Sequence, residues 1–111
     1  MPVKNMKLLS FKKILESDKP HVIKFTSPDC HYCVALKPLF HKIAKEFNNQ
    51  FAFGNVTIGE NPELSELFIK DGVPTIYIIS KDSAHEIPYP SDPVSGYGYD
   101  YLKNYLTNLG Y

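Results

Sequence analysis

The chain has 111 residues, with 12 Lys and Arg against 12 Asp and Glu for a formal net charge of zero. That length describes one domain, spanning 1–111, able to bury a core without cross-links. With no run of Lys and no Arg at all, the sequence offers neither an electrostatic footprint for nucleic acid or an anionic membrane nor a guanidinium fork for phosphate.

The N-terminal segment from Met1 to Leu9 lacks the apolar core and small-residue cleavage site of a secretory signal. No apolar run approaches membrane-spanning length. A first helix is predicted over 10–17, capped by Ser10 and stapled by Leu9 against Ile14, and ended by Asp18-Lys19-Pro20. Residues 21–26 read as a buried strand. A long amphipathic helix follows over 31–48, with Leu39, Ile43 and Phe47 on one stripe and Leu36, Phe40 and Ala44 beside it. Pro38 lies inside that helix, where its missing amide hydrogen and its ring predict a kink.

A second strand is expected over 51–58, weakened by Gly54. Asn61 then caps a helix over 62–70, with Pro62 in its first position and Glu63 in its positive first turn, and Asp71-Gly72 stops it. Thr75 to Ile79 reads as a strand, paired antiparallel with a shorter one near Glu86–Tyr89, where Pro88 and Pro90 demand a sheet edge. The Pro-, Gly- and Tyr-rich stretch over 90–99 reads as a loop. A last helix over 100–109 turns Leu102, Tyr105, Leu106 and Leu109 to one face, with Gly110 beyond its end. The expected order is βαβαβαββα, an α/β fold with a mixed sheet flanked by helices on both faces.

Cys30-His31-Tyr32-Cys33 stands at the junction of the strand 21–26 and the long helix. Two thiols at this spacing can close a small ring, hold part of a metal site, or sit idle. Exchange chemistry needs a thiolate, and the unpaired amides and dipole of a helix start favour one at Cys30. Cys33, one turn further in, is placed to resolve the mixed disulfide that Cys30 would form. A metal reading would draw on Cys30, Cys33 and His41, with no second CxxC to complete it. His21, His41 and His85 otherwise read as surface or strand-end residues.

The strand, the CxxC, the helix with Pro38 five residues after the second Cys, and Gly72-Val73-Pro74-Thr75 opening a strand together resemble a thioredoxin. The likeness runs from about Met6 to Leu109. It implies a thioredoxin fold and thiol–disulfide oxidoreductase activity, with Cys30 as nucleophile, Cys33 as resolving thiol and no cofactor. It also implies that Pro74 is cis and packs beside the CxxC, and that Val73 and Pro74 offer backbone and surface to an extended substrate. The implied partners are protein disulfides and a thioredoxin-reductase-type or glutathione reductant, and a monomer is expected. If Met1 is the initiator, the absence of a secretory signal makes the cytoplasm the expected location.

The chain departs from that family's pattern where Asp29 replaces Trp, His31-Tyr32 replaces Gly-Pro, and Lys24 replaces a buried acid. Tyr89 to Leu102 also makes a longer loop. His31 is read as stabilising the thiolate, and Tyr32 as shaping the substrate-facing surface. Lys24 either snorkels past the sheet or brings a cation to the thiols, where it would raise the reduction potential. Two other functions fit parts of the pattern. One is a glutaredoxin-like, glutathione-linked reductase, since Tyr also precedes the second Cys there. The other is a non-catalytic partner-binding subunit on the same fold.

Overall fold

The computed structural model describes residues 3–5, 13, 19–60, 62–63, 66, 74–81, 83–90 and 97–109. Among these it forms five strands, β1 (Val3–Asn5), β2 (His21–Thr26), β3 (Ala52–Thr57), β4 (Thr75–Ile79) and β5 (Ala84–Ile87), and two helices, α1 (His31–Glu46) and α2 (Tyr99–Asn108). The strands join in one sheet in the order β1-β3-β2-β4-β5. β3 runs parallel to both β1 and β2, while β4 is antiparallel to β2 and to β5, so the sheet is mixed as expected. Of the helices predicted over 10–17 and 62–70, Lys13, Pro62, Glu63 and Glu66 are helical, and the remainder lie outside the described residues.

Alternation along β2 divides its side chains between two faces. Val22 pairs with Phe53 of β3 and Ile78 of β4, and these pack with Leu36, Phe40 and Ile43 of α1 and Leu102 and Leu106 of α2. Edge-to-face contact between Phe40 and Phe53, ring centroids 5.6 Å apart, ties α1 to the sheet. On the opposite face Ile23, Phe25, Val56 and Ile79 are wholly inaccessible to solvent, so both faces are covered. A central strand buried on both faces explains the nearly continuous apolar run at 21–26. Lys24 breaks that run.

Element ends moved where local chemistry overrode periodicity. α1 passes through Pro38, which lies on its exposed side, and ends two residues early. There Phe47 donates its amide to the Ile43 carbonyl at 3.0 Å, and Asn48-Asn49 turn the chain into β3. β5 occupies Ala84–Ile87 rather than the expected 86–89. A turn closed by the Ser80 amide on the Ser83 carbonyl at 2.7 Å sets the hairpin register, and Pro88, having no N–H, stops the ladder. No helix among the described residues is long and apolar enough to cross a membrane.

Candidate active site

Cys30 lies four residues beyond the last β2 pair, in a turn held by its own amide donating to the Ser27 carbonyl at 3.2 Å. Its backbone is extended (φ −87°, ψ 115°) and its carbonyl accepts the Val34 amide at 3.1 Å, which makes it the N-cap of α1. The cap is the sulfur itself: Cys30 Sγ accepts the Cys33 amide hydrogen at 3.1 Å. A side chain that accepts there satisfies one of the helix's orphan donors, and a thiolate does so better than a thiol. No acidic residue occupies the first turn to compete for the positive end of the helix.

The Cys30 and Cys33 sulfurs are joined as a disulfide, with Cα atoms 5.1 Å apart. Their exposures differ in the sense that the assigned roles require. Cys30 is half-buried at the mouth of the site, whereas Cys33 is 4% exposed. His31 and Tyr32 between them are both exposed, their rings meeting edge-on at 5.9 Å. Val34 follows at the surface, so an apolar rim adjoins the half-buried sulfur.

Pro74 is buried and lines a small cleft of about 70 Å³ with Tyr32, Ala35, Leu36, Tyr97 and Gly98. The proline is therefore brought to the first turns of α1, beside the CxxC. Val73 lies outside the described residues. The long loop contributes Tyr97 to the same cleft, anchored by its hydroxyl donating to the Ile87 carbonyl at 2.6 Å. Tyr97 stacks edge-on with Tyr89 at 5.0 Å, and burial raises its hydroxyl pKa far above the usual value. From the sequence, Tyr97 reads only as loop composition and Tyr89 as the end of a short edge strand. A run of Pro, Gly and Tyr does not say which ring turns inward.

Lys24 does not snorkel. It is 5% exposed, and its Nζ donates to Asn55 Oδ1 at 2.7 Å, directly across from it on β3. The Thr26 hydroxyl donates to the same oxygen at 3.1 Å, and Asn55 Nδ2 donates to Thr57 Oγ1 at 3.4 Å. The Phe40 ring lies 5.4 Å from the ammonium. Burial, reinforced by Lys37, pulls the Lys24 pKa from 10.5 down to about 8.

Lys24 and Cys33 line one cavity of about 380 Å³ beneath the disulfide, together with Lys37, His41 and the β3 residues Asn55 and Thr57. His41 is half-exposed in this wall, so it belongs to the site rather than to the plain surface that the sequence suggested. Its pKa is lowered by burial and then by Lys24, Lys37 and Lys45. Asn55 was the other residue missed. Its signal was present: one polar side chain in the middle of each of two neighbouring strands. Among the described residues no three His, Cys, Asp or Glu side chains gather as a metal-ligand set.

A redox pair at a strand-to-helix junction, with the more accessible sulfur capping the helix and a proline loop beside it, defines a dithiol–disulfide exchange site. The thioredoxin family's sequence model matches residues 2–94, and the chain belongs to the thioredoxin family. It is 32% identical over 77 residues to the thioredoxin of Rickettsia typhi, covering 68% of this chain and 73% of that one. Chloroplastic thioredoxin M4 of Arabidopsis thaliana is 33% identical over 66 residues, 60% of this chain, which spans 34% of that protein. The chain spans 17% of protein disulfide-isomerase 2-3 of the same plant, at 26% identity over 76 residues. The fold is shared with chloroplastic thioredoxin z (TM-score 0.80, 21% identity, 98% of this chain and 95% of that one) and with thioredoxin of Malassezia sympodialis (TM-score 0.80, 20% identity, 96% and 89%). Family membership and the Cys30–Cys33 pair give this domain thiol–disulfide oxidoreductase chemistry. The glutaredoxin-like and non-catalytic readings are not favoured by these matches.

Proposed function

We propose that the protein exchanges its Cys30–Cys33 pair with disulfides of client proteins. The observation that carries this is the division of labour at the helix start: an accessible sulfur in the cap and a buried one behind it. In the reducing direction the Cys30 thiolate attacks one sulfur of the client disulfide, and the other leaves as a thiolate that takes a proton from solvent. Cys33 then gives up its proton and attacks the Cys30 sulfur of the mixed disulfide, releasing the second client thiol. Two electrons pass to the client and the Cys30–Cys33 disulfide remains. A reductant returns them, either glutathione or a flavoenzyme of the thioredoxin-reductase type. The matches to a bifunctional thioredoxin reductase/thioredoxin of Mycobacterium leprae and to an NADPH-dependent thioredoxin reductase of Arabidopsis favour the second. A reducing compartment such as the cytoplasm, and a monomer exposing Cys30, suit this cycle.

Client recognition is assigned to Tyr32, to Pro74 in the cis form, and to the Val73 backbone. Tyr32 and Pro74 share a cleft beside the pair. Lys24 and His31 are assigned to redox tuning, because positive charge favours thiolates over the neutral disulfide. The potential is therefore less negative than that of a thioredoxin with an acid in the cavity. Lys24→Asp should move it toward reducing values, and 30 mV corresponds to about 1.4 kcal/mol. An unchanged potential would leave Lys24 without a redox role.

The deciding experiment is trapping. Cys33→Ser should accumulate mixed disulfides with clients through Cys30, whereas Cys30→Ser should accumulate few and lose insulin reduction. The reverse pattern, or alkylation at mildly acidic pH that labels Cys33 first, would overturn the roles.

A further inference from the structure

The cavity beneath the disulfide gathers positive charge without a matching acid. Lys24, Lys37 and His41 line it with the hydroxyls of Thr26, Ser27 and Thr57, and none of its described lining residues is Asp or Glu. Lys24 is the informative member. An ammonium carries three N–H donors, yet among the described residues the acceptor it meets is the single oxygen Asn55 Oδ1. That oxygen is shared with the Thr26 hydroxyl. At 5% exposure the Lys24 side chain meets, among the described residues, one neutral acceptor that it shares. Its remaining donors, the Lys37 cation and the threonine hydroxyls surround a space of about 380 Å³, within the range that holds small molecules.

We infer that this cavity binds a small oxyanion, a phosphate or a carboxylate group, held by Lys24 from inside and by Lys37 and His41 nearer the surface. The lining residues Pro28, Val34 and Lys37 are exposed, so the ligand enters from solvent without unfolding the site. A bound anion offsets the field of Lys24 and Lys37 at His41, so the imidazole pKa rises on binding. One consequence rests on the redox cycle proposed above. The reduced protein of that cycle carries a thiolate at Cys30, one helical turn from the Cys33 that lines the cavity, and that charge opposes the anion. Binding and oxidation therefore favour one another, reciprocally. A tenfold preference for the oxidised form makes the potential about 30 mV more negative at saturation.

Calorimetric titration of inorganic phosphate into oxidised protein, with chloride adjusted to constant ionic strength, tests the site directly. A parallel titration with malonate distinguishes a phosphate ligand from a carboxylate one. Saturable one-to-one binding of at least one anion is expected, weakened tenfold or more in Lys24→Met. Lys37→Glu alters an exposed side chain and keeps the test alive if the buried substitution fails to fold; it should weaken binding severalfold. NMR titration of His41 should show its pKa rising with the bound anion. Absence of saturable binding by either anion, or equal binding by wild type and both variants, overturns the inference. Equal affinity of oxidised and reduced protein overturns the coupling, while mixed-disulfide trapping by Cys33→Ser reports on the redox cycle separately.

Discussion

Lys24 occupies the middle of the central strand, and its amine has a pKa of about 8 where the unfolded chain has 10.5. The groups facing it are Asn55 and Thr26 on the sheet, and Cys33, Lys37 and His41 on α1. Between those two pKa values the unfolded chain holds more protons than the folded one, so this residue makes stability rise with pH from about 8 to 10.5. Below that window the folded state bears the whole penalty of the buried charge, on the order of 3 kcal/mol. Lys24→Met should therefore be more stable than wild type at pH 7, by about 1–3 kcal/mol, since an apolar side chain of similar volume removes the buried ion. Urea midpoints of the two proteins should converge as pH approaches 10; a gap independent of pH would refute this account. Asn55→Ala acts in the opposite direction. It deprives Lys24 and Thr26 of their acceptor and should cost about 1–3 kcal/mol. That loss should shrink in the Lys24→Met background, as a double-mutant cycle would measure. The sequence made Lys24 conspicuous but left its direction open, because alternation assigns a face and not a partner. The partner came from the register of β2 on β3, which no local pattern specifies.

The two described helices are joined at their solvent edge by the Tyr99 hydroxyl donating to Glu46 Oε1, with Lys42 Nζ 4.5 Å from the centre of the same ring. The carboxylate accepting that proton is the main reason the hydroxyl pKa is raised to about 12. Folding thus favours the protonated phenol, and the stability this contributes is complete below pH 10 and fades as pH rises toward 12. Glu46→Gln should let Tyr99 ionise nearer pH 10 in a phenolate absorbance titration, and an unchanged profile would show that the pair does not persist in solution. Deeper in the same layer, Phe40→Ala should cost about 3–5 kcal/mol, because it opens a void against Phe53 and Lys24 together. Apolar spacing located α1 and α2 to within two residues. The errors came at ends where single residues decide: the Phe47 cap, Gly98 accepting the first α2 bond from Leu102, and Pro88 closing β5 early.

For the molecule as a whole, redox state and folding stability are tied in one thermodynamic cycle. The difference in unfolding free energy between oxidised and reduced protein equals the difference in potential of the pair in the folded and unfolded chain, with 30 mV worth about 1.4 kcal/mol. A pair held at a less negative potential by Lys24 and His31 should leave the reduced protein comparatively stable. Lys24→Asp should widen the advantage of the oxidised form, which guanidinium denaturation of both forms would reveal; an unaltered gap would contradict the proposed tuning. The mixed sheet and the place of the CxxC were legible because strand, cysteines, helix and Val-Pro-Thr follow each other in a fixed order. The cavity was not, since its walls come from β1, β2, α1 and β3, which meet only after folding. One feature of the last strand reaches beyond this chain. The carbonyls of Ile87 and Pro88, where β5 ends, accept the hydroxyls of Tyr97 and Tyr101 at 2.6 Å each. Pro88 and Pro90 have no amide hydrogen to offer beside them. A neighbouring polypeptide laid along the Ile87–Pro90 end of this border would find those two acceptors engaged and two donors missing, so the sheet is not easily extended there. Under the proposed function, a client's unpaired strand would therefore find no ready template at this end of the sheet.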